Sequence, residues 1–202
     1  MDVGIFGAGH IGLSLAGLFD RAGHTVHIAS RHLEQLSKLL LDRELHRTRA
    51  ESVEKVAAAA ELLVGAVQWT QLEDLTAELP PIDGKIWIDP ANPIAREADG
   101  TVTMVDTGTR PTSAIVADLV PKAQVVKAFN SFTTPMYRSG PLTSLGRIVA
   151  PIAGDHPAAL SRVGELIKST GFVPIVIGNI EDSVVLQPGG ALRRLSIPMI
   201  AP

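Results

Sequence analysis

Cysteine is absent from this chain. Disulfides, thiolate metal sites and cysteine nucleophiles are therefore excluded. No run of ~18 apolar residues occurs, so no transmembrane helix is expected. The opening apolar run is too short for the core of a secretory signal. Cationic excess is missing too. The net charge of −3 offers no basic field for nucleic acid or anionic lipid. The expected setting is the cytoplasm, with no membrane and no nucleic acid as partner.

Familiar catalytic groupings are also missing. No Gly-x-Ser-x-Gly elbow is present, so no hydrolase nucleophile stands out. The six histidines show no zinc-site spacing, and no metal is expected. Tyr137 is the single tyrosine and has no lysine four residues on. No Ser-x-x-x-Lys pair occurs either. The sequence thus designates no catalytic acid or base. It points to hydride transfer between two redox cofactors, where the protein supplies orientation and excludes water.

What is present starts at once. Met1 to Phe6 reads as a short buried strand. Gly7-Ala8-Gly9-His10-Ile11-Gly12 follows as a G-x-G-x-x-G, then an amphipathic helix to Ala22, and Gly23 as its stop. A second strand, Thr25 to Ala29, ends at Ser30-Arg31-His32. Strand, glycine turn, helix and strand within ~30 residues form the dinucleotide fingerprint. Gly7 permits the tight turn. Gly9 leaves the backbone open to a pyrophosphate, and Gly12 lets the helix lie close to the sheet. N–H groups at the helix start, with its positive dipole end, hold phosphates. His10 is read as covering the pyrophosphate. The alternative is a Rossmann-like turn that has lost its ligand.

The end of the second strand selects the dinucleotide. An NAD site places a carboxylate there, and an NADP site replaces it with a cation. Here no acid occurs until Glu34. Ser30 and Arg31 can donate to a ribose 2′-phosphate, with His32 assisting. NADP is therefore favoured over NAD. Ser30 as a helix cap and Arg31 as an ordinary surface charge form the plainer reading.

Further along, strands and helices alternate. Helix two covers about His32 to Leu41. Asp42 to Val56 reads as a solvated helix end plus loop, with a short strand near Ser52–Val53. Leu62 to Val67 is a buried strand. Gln68 and Trp69 project past its end, where ligands lie in an open parallel sheet, although Trp69 fits core packing equally well. Lys85 to Asp89 is the next strand. Pro90-Ala91-Asn92-Pro93 then makes a rigid loop that aims Asn92 at the nicotinamide or a substrate, or serves as a structural turn. Ile94 to Thr109 reads as loop and Thr112 to Leu119 as helix. Gln124 to Phe129 is a strand, with Ala128 and Asn130 at its end. Leu145 to Ala153 is a strand kinked by Pro151, Ala158 to Ser169 a helix, and Phe172 to Gly178 the last strand. A tail without strong structure begins at about 179. The expected architecture is one α/β domain over residues 1–202, a doubly wound, mostly parallel sheet.

Together these segments resemble the short NADP-binding oxidoreductases typified by NADPH-dependent coenzyme F-420 reductase. The cytosolic domain of six-transmembrane ferric reductases is a relative. The resemblance rests on residues 7–12, Ser30-Arg31, Val67-Gln68-Trp69, Asp89 to Pro93 and Val125 to Asn130. Ile152 to Asp155, Gly171 to Gly178 and Gln187 to Gly190 carry it further. It implies that Ala8 to Ile11 wrap the pyrophosphate and that Ser30 and Arg31 hold the 2′-phosphate. Val67 and Trp69 would line the nicotinamide side, and the Ala128 backbone would meet the carboxamide. It further implies a deazaflavin, coenzyme F-420, or a flavin (FMN or FAD) as second substrate, and a homodimer. Gln35 stands where some members carry a lysine, and Ala191 to Arg194 does not follow the reductase tail. A non-catalytic NADP-binding sensor and a reductase of a small metabolite are the alternatives.

Overall fold

A computed structural model describes residues 1–97, 99–132, 136–137, 140–144, 146–193 and 198–199. Twelve strands are described among them. They are β1 (Asp2–Phe6), β2 (Thr25–Ala29), β3 (Thr48–Glu51), β4 (Leu62–Gly65), β5 (Ile86–Asp89), β6 (Ile94–Arg96), β7 (Val102–Met104), β8 (Gln124–Lys127), β9 (Leu142–Thr143), β10 (Gly146–Gly154), β11 (Val173–Gly178) and β12 (Pro198–Met199). The helices are α1 (His10–Arg21), α2 (Leu33–Asp42), α3 (Val53–Ala59), α4 (Leu72–Glu78), α5 (Thr112–Leu119) and α6 (Pro157–Ser169). No helix among the described residues is long and apolar enough to cross a membrane.

The main sheet runs β11-β10-β8-β5-β4-β1-β2-β3. The six strands from β3 to β8 are parallel. Their order is that of a dinucleotide-binding sheet, and it reverses between β1 and β4. The expected doubly wound architecture is present with one modification. β10 joins β8 antiparallel, and β11 pairs parallel with β10.

Alternation along the strands sorts the core into two faces. Val3, Ile5, Leu62, Val64, Ile86, Ile88 and Val126 pack with α1, α2 and α6. Phe6, Leu63, Trp87 and Val125 pack with α3, α4 and α5. Parallel strands covered on both faces need such continuous apolar runs.

Several local expectations are corrected. The strand sought near Ser52–Val53 lies at Thr48–Glu51. Ser52 instead caps α3, its Oγ accepting from the Lys55 N–H at 3.5 Å. The polar side chains of β3 hid it, because only one of its faces is covered. Ser30 is not the cap of α2. His32 holds that position, and Ser30 Oγ accepts from the His32 N–H at 3.0 Å, closing a turn. Ile94 to Thr109 contains the β6–β7 hairpin. The tail is not structureless. Glu181–Leu186 forms a 3-10 helix, and β12 pairs with β10. Leu145 and Arg194, which the sequence assigned to a strand and to the tail, lie outside the described residues.

Two constraints set the carboxyl edge of the sheet. The first is backbone proximity. Gly7 turns off β1 with φ +110°, a value that strongly favours glycine. A Cβ at Gly12 would overlap the Gly7 carbonyl. Helix α1 therefore starts directly against the end of β1.

The second constraint is a buried ion pair. Asp89 and Lys127 are register neighbours on β5 and β8, and both are fully buried. Lys127 Nζ donates to Asp89 Oδ2 at 2.9 Å, to Thr112 Oγ1 at 2.9 Å and to the Ala91 carbonyl. Asp89 also accepts from Ser113 Oγ at 2.6 Å and from the Ala91 N–H at 2.8 Å. Burial pushes the Lys127 ammonium below its ordinary range, and Asp89 opposes that shift. The pair thereby ties β5, β8, the Pro90–Pro93 loop and the first turn of α5 into one unit. The Gln187 side chain accepts from the Thr112 N–H and adds the C-terminal segment.

Substituting Gly12→Ala should lower stability by about 1–3 kcal/mol, the cost of overpacking. A urea titration checks it through a lower midpoint at unchanged slope. Lys127→Met should cost about 3–5 kcal/mol, because it strands the Asp89 carboxylate without its counter-charge. Thermal unfolding measures this, and a loss below about 1 kcal/mol would contradict a charged pair.

Candidate functional site: a cleft on the carboxyl edge of the sheet

A cleft of about 1140 Å³ opens along the carboxyl ends of the parallel strands. It sits over the switch point between β1 and β4, where open α/β sheets bind ligands. Thirteen of the fifteen sequence-predicted site residues line it. Gly7, Ala8, Gly9, His10 and Ile11 form the turn; Ser30, Arg31 and His32 lie at the end of β2. Val67, Gln68 and Trp69 follow β4, while Asn92 and Asn130 follow β5 and β8.

The remaining two lie behind the wall. Gly12 is buried against Gly7, in keeping with its packing role. Ala128 is wholly buried, and its N–H already donates to the Asp89 carbonyl at 3.2 Å. Its N–H is therefore taken and not open to a carboxamide. The β5–β8 ladder continues one residue past the end of β8 and consumes that donor. Asn130 stands closer to the cleft. Its Nδ2 donates to the Leu186 carbonyl at 2.7 Å and to Asn92 Oδ1 at 3.2 Å. Asn92 Nδ2 donates back to the Asn130 carbonyl at 3.2 Å. Asn130 Oδ1 has no hydrogen-bond partner among the described residues.

The glycine turn fits a pyrophosphate. A Cβ at Gly9 would meet nothing within 4 Å, so the backbone there faces open space. Helix α1 starts at Gly9 with no side-chain cap and no acid in its first turn. Its leading N–H groups and positive dipole end are thus available to an anion. At the end of β2, Arg31 is exposed and makes no hydrogen bond or ion pair among the described residues. An unpaired guanidinium beside the Ser30 turn suits a phosphate monoester. Trp69 reconciles its two readings. It opens a 3-10 turn, packs partly on the core and also lines the cleft.

Sequence reasoning missed other parts of the wall. Phe129 adopts φ +64° at the end of β8, a left-handed conformation disfavoured for a side chain with a Cβ. Its carbonyl accepts from Tyr137 Oη at 3.1 Å, and its ring meets Phe19 and Phe132 edge-on. Burial raises the Tyr137 phenol far above its ordinary range. That tyrosine is a neutral donor to the Phe129 carbonyl. Ile94, Arg96 and Arg193 also reach the cleft. The rule that ligands gather at carboxyl strand ends would have pointed to Phe129. The lysine inside the apolar run Val125-Val126-Lys127-Ala128-Phe129, with Asp89 ending another strand, was the signal for the buried pair.

Residues 2–93 match the family described as NADP oxidoreductase, coenzyme F420-dependent. A hypothetical protein of Sinorhizobium meliloti has a crystal structure 31% identical to this chain. The match covers 98% of this chain and 96% of that one, with a TM-score of 0.87. A structure named as an F420-dependent NADP reductase of an Arthrobacter species shares the fold. It is 23% identical over 96% of this chain and 87% of its own, with a TM-score of 0.76. The metalloreductase STEAP3 of Rattus norvegicus is 27% identical over 88% of this chain and 34% of its own length. The chain spans about a third of the length of the curated relatives it matches. The sheet order, the turn around Gly9 and the cation after β2 agree with these likenesses, and residues 2–93 carry the likeness to the coenzyme F420-dependent family of NADP oxidoreductases.

Proposed function

We propose that the protein binds NADPH in this cleft and reduces a deazaflavin or flavin with it. The observation that carries the reading is Arg31, an exposed and unpaired guanidinium where an NAD site would hold a carboxylate. When bound, the cofactor would supply a hydride. The chain's own residues would hold and shield it. The turn at Ala8 to Ile11 would bind the pyrophosphate, and Ser30, Arg31 and His32 the 2′-phosphate. Val67 and Trp69 would cover the ring region. The paired amides of Asn92 and Asn130 would fix the far end.

The side chains around that end support a hydride acceptor that needs no proton shuttle. Tyr137 is buried and spends its hydroxyl on the Phe129 carbonyl. Lys127 is buried and engaged by Asp89, Ala91 and Thr112. Positioning and exclusion of water are what this wall provides. A dimer of two copies, acting in the cytoplasm, completes the proposal.

Mixing the protein with NADPH and coenzyme F-420, FMN or FAD should give loss of absorbance at the nicotinamide band. No turnover with any acceptor, despite saturable NADPH binding, would leave the sensor reading instead. Arg31→Ala should weaken NADPH binding by about 1.5–3 kcal/mol, the range for a charge-assisted hydrogen bond. NADH binding should be nearly unchanged. Calorimetric titration with both cofactors checks this, and equal losses would contradict the role of Arg31.

A further inference from the structure

One acid stands beside the phosphate end of the cleft without facing it. β2 and β3 pair parallel, with Ala29 opposite Glu51 and His27 opposite Arg49. Opposed residues share a face of the sheet, as do residues two apart on a strand. His27, Ala29, Arg49 and Glu51 therefore stand on one face. Ala29 lines the cleft, and so do Ser30, Arg31 and Val53. Glu51, the last residue of β3, thus has its backbone beside the cleft. Its side chain turns back from it. His27 Nδ1 donates to Glu51 Oε2 at 2.8 Å.

That contact decides where the negative charge sits. His27 lies two residues before Ala29, about 7 Å farther from the carboxyl edge of the sheet. The His27 side chain is 9% exposed and that of Glu51 22%, so water screens the contact little. Asp2 Oδ1 lies 3.8 Å from His27 Nε2, but that carboxylate is more than half exposed. Arg49 shares the face and is exposed as well. Donation through Nδ1 needs only the proton on that nitrogen, which the neutral and the charged ring can both carry. Glu34 and Glu54 stand in the first turns of α2 and α3, but both are exposed and screened by water. Glu51 is thus the partly buried carboxylate next to the strand end where a 2′-phosphate is expected. It does not pair with Arg31, which makes no hydrogen bond or ion pair among the described residues.

We infer that His27 is a positioning residue for cofactor choice. By holding Glu51 it keeps the neighbouring strand-end carboxylate out of the 2′-phosphate site and leaves Arg31 unpaired. The inference rests on the NADPH reading of the cleft. Released from His27, the Glu51 carboxylate would swing toward water at the strand end. There it would compete for Arg31 and repel a phosphate. It would also set an acid near a ribose 2′-hydroxyl, the arrangement of an NAD site. Selectivity is a difference of two affinities, and repulsion against one ligand shifts it as surely as attraction to the other. His27 lies outside the cleft lining and acts on that difference through Glu51.

Calorimetric titration with NADPH and NADH reads the ratio of the two affinities. It is run on the wild type, His27→Leu, His27→Asn, Glu51→Gln and the double variant His27→Leu with Glu51→Gln. His27→Leu should lower the preference for NADPH by about tenfold, the scale of one partly screened charge acting on another. Asparagine can set its Nδ2 where His27 has Nδ1, so His27→Asn should keep the wild-type ratio. Glu51→Gln should not lower the ratio, and in the double variant it should restore what His27→Leu loses. An equal fall in His27→Leu and in the double variant means damage to the strand alone and overturns the inference. So does a folded His27→Leu protein with the wild-type ratio. Thermal unfolding shows whether that variant is folded. If it is not, Glu51→Asp takes its place, because the shorter arm loses His27 and keeps the charge. The ratio should fall again, and an unchanged ratio overturns the inference. A wild type that prefers NADPH while the variants behave in these contrary ways leaves the functional reading standing. A wild type that binds both cofactors equally, or neither, overturns that reading as well.

Discussion

The site depends on the approach of one backbone to another. Gly12 lies so near the Gly7 carbonyl that no side chain fits between them. Helix α1 is thereby drawn onto the end of β1, and its uncapped N-terminus opens at the switch point of the sheet. The free N–H groups, the dipole and the open space over Gly9 are consequences of that contact. A larger residue at either glycine would move the helix and with it the anion site.

A second, electrostatic constraint fixes the far end of the cleft. Desolvating an ammonium and a carboxylate is costly, and their mutual attraction offsets it only in a well-satisfied geometry. Asp89 and Lys127 meet that condition with Ser113, Thr112 and the backbone of Ala91. The pair holds the Asn92 loop, the end of β8 and the start of α5 at fixed separations. Asn130 extends the same network to Leu186, so the C-terminal segment closes that end. The two ends of the cleft thus differ in kind. One offers exposed donors to an anion. The other is a rigid frame of paired buried groups.

Much of the first end was legible in the chain because its determinants are local. Gly7, Gly9 and Gly12 act within one turn, and Ser30-Arg31 follow directly on a strand whose neighbour is β1. The other end was less legible. Asn92 and Asn130 could be placed at strand ends, but not against each other, since 38 residues separate them. The Ala128 N–H donates to the Asp89 carbonyl, a partner on another strand that no local pattern points to. The β6–β7 strands escaped notice for another reason. Three-residue strands with exposed faces carry no hydrophobic period.

The sequence by itself determined the parallel strands, the helices that cover them, the anion-binding turn and the cation in place of an acid after β2. Each follows from near-neighbour spacing, where periodicity and glycine placement act directly. Tertiary structure alone decided the reversed direction of β10 and β11, the Asp89–Lys127 pair, the left-handed Phe129 and the pairing of β6 with β7. Those features arise where distant segments must satisfy one another's charges, donors and apolar surface, and no local pattern records such a bargain.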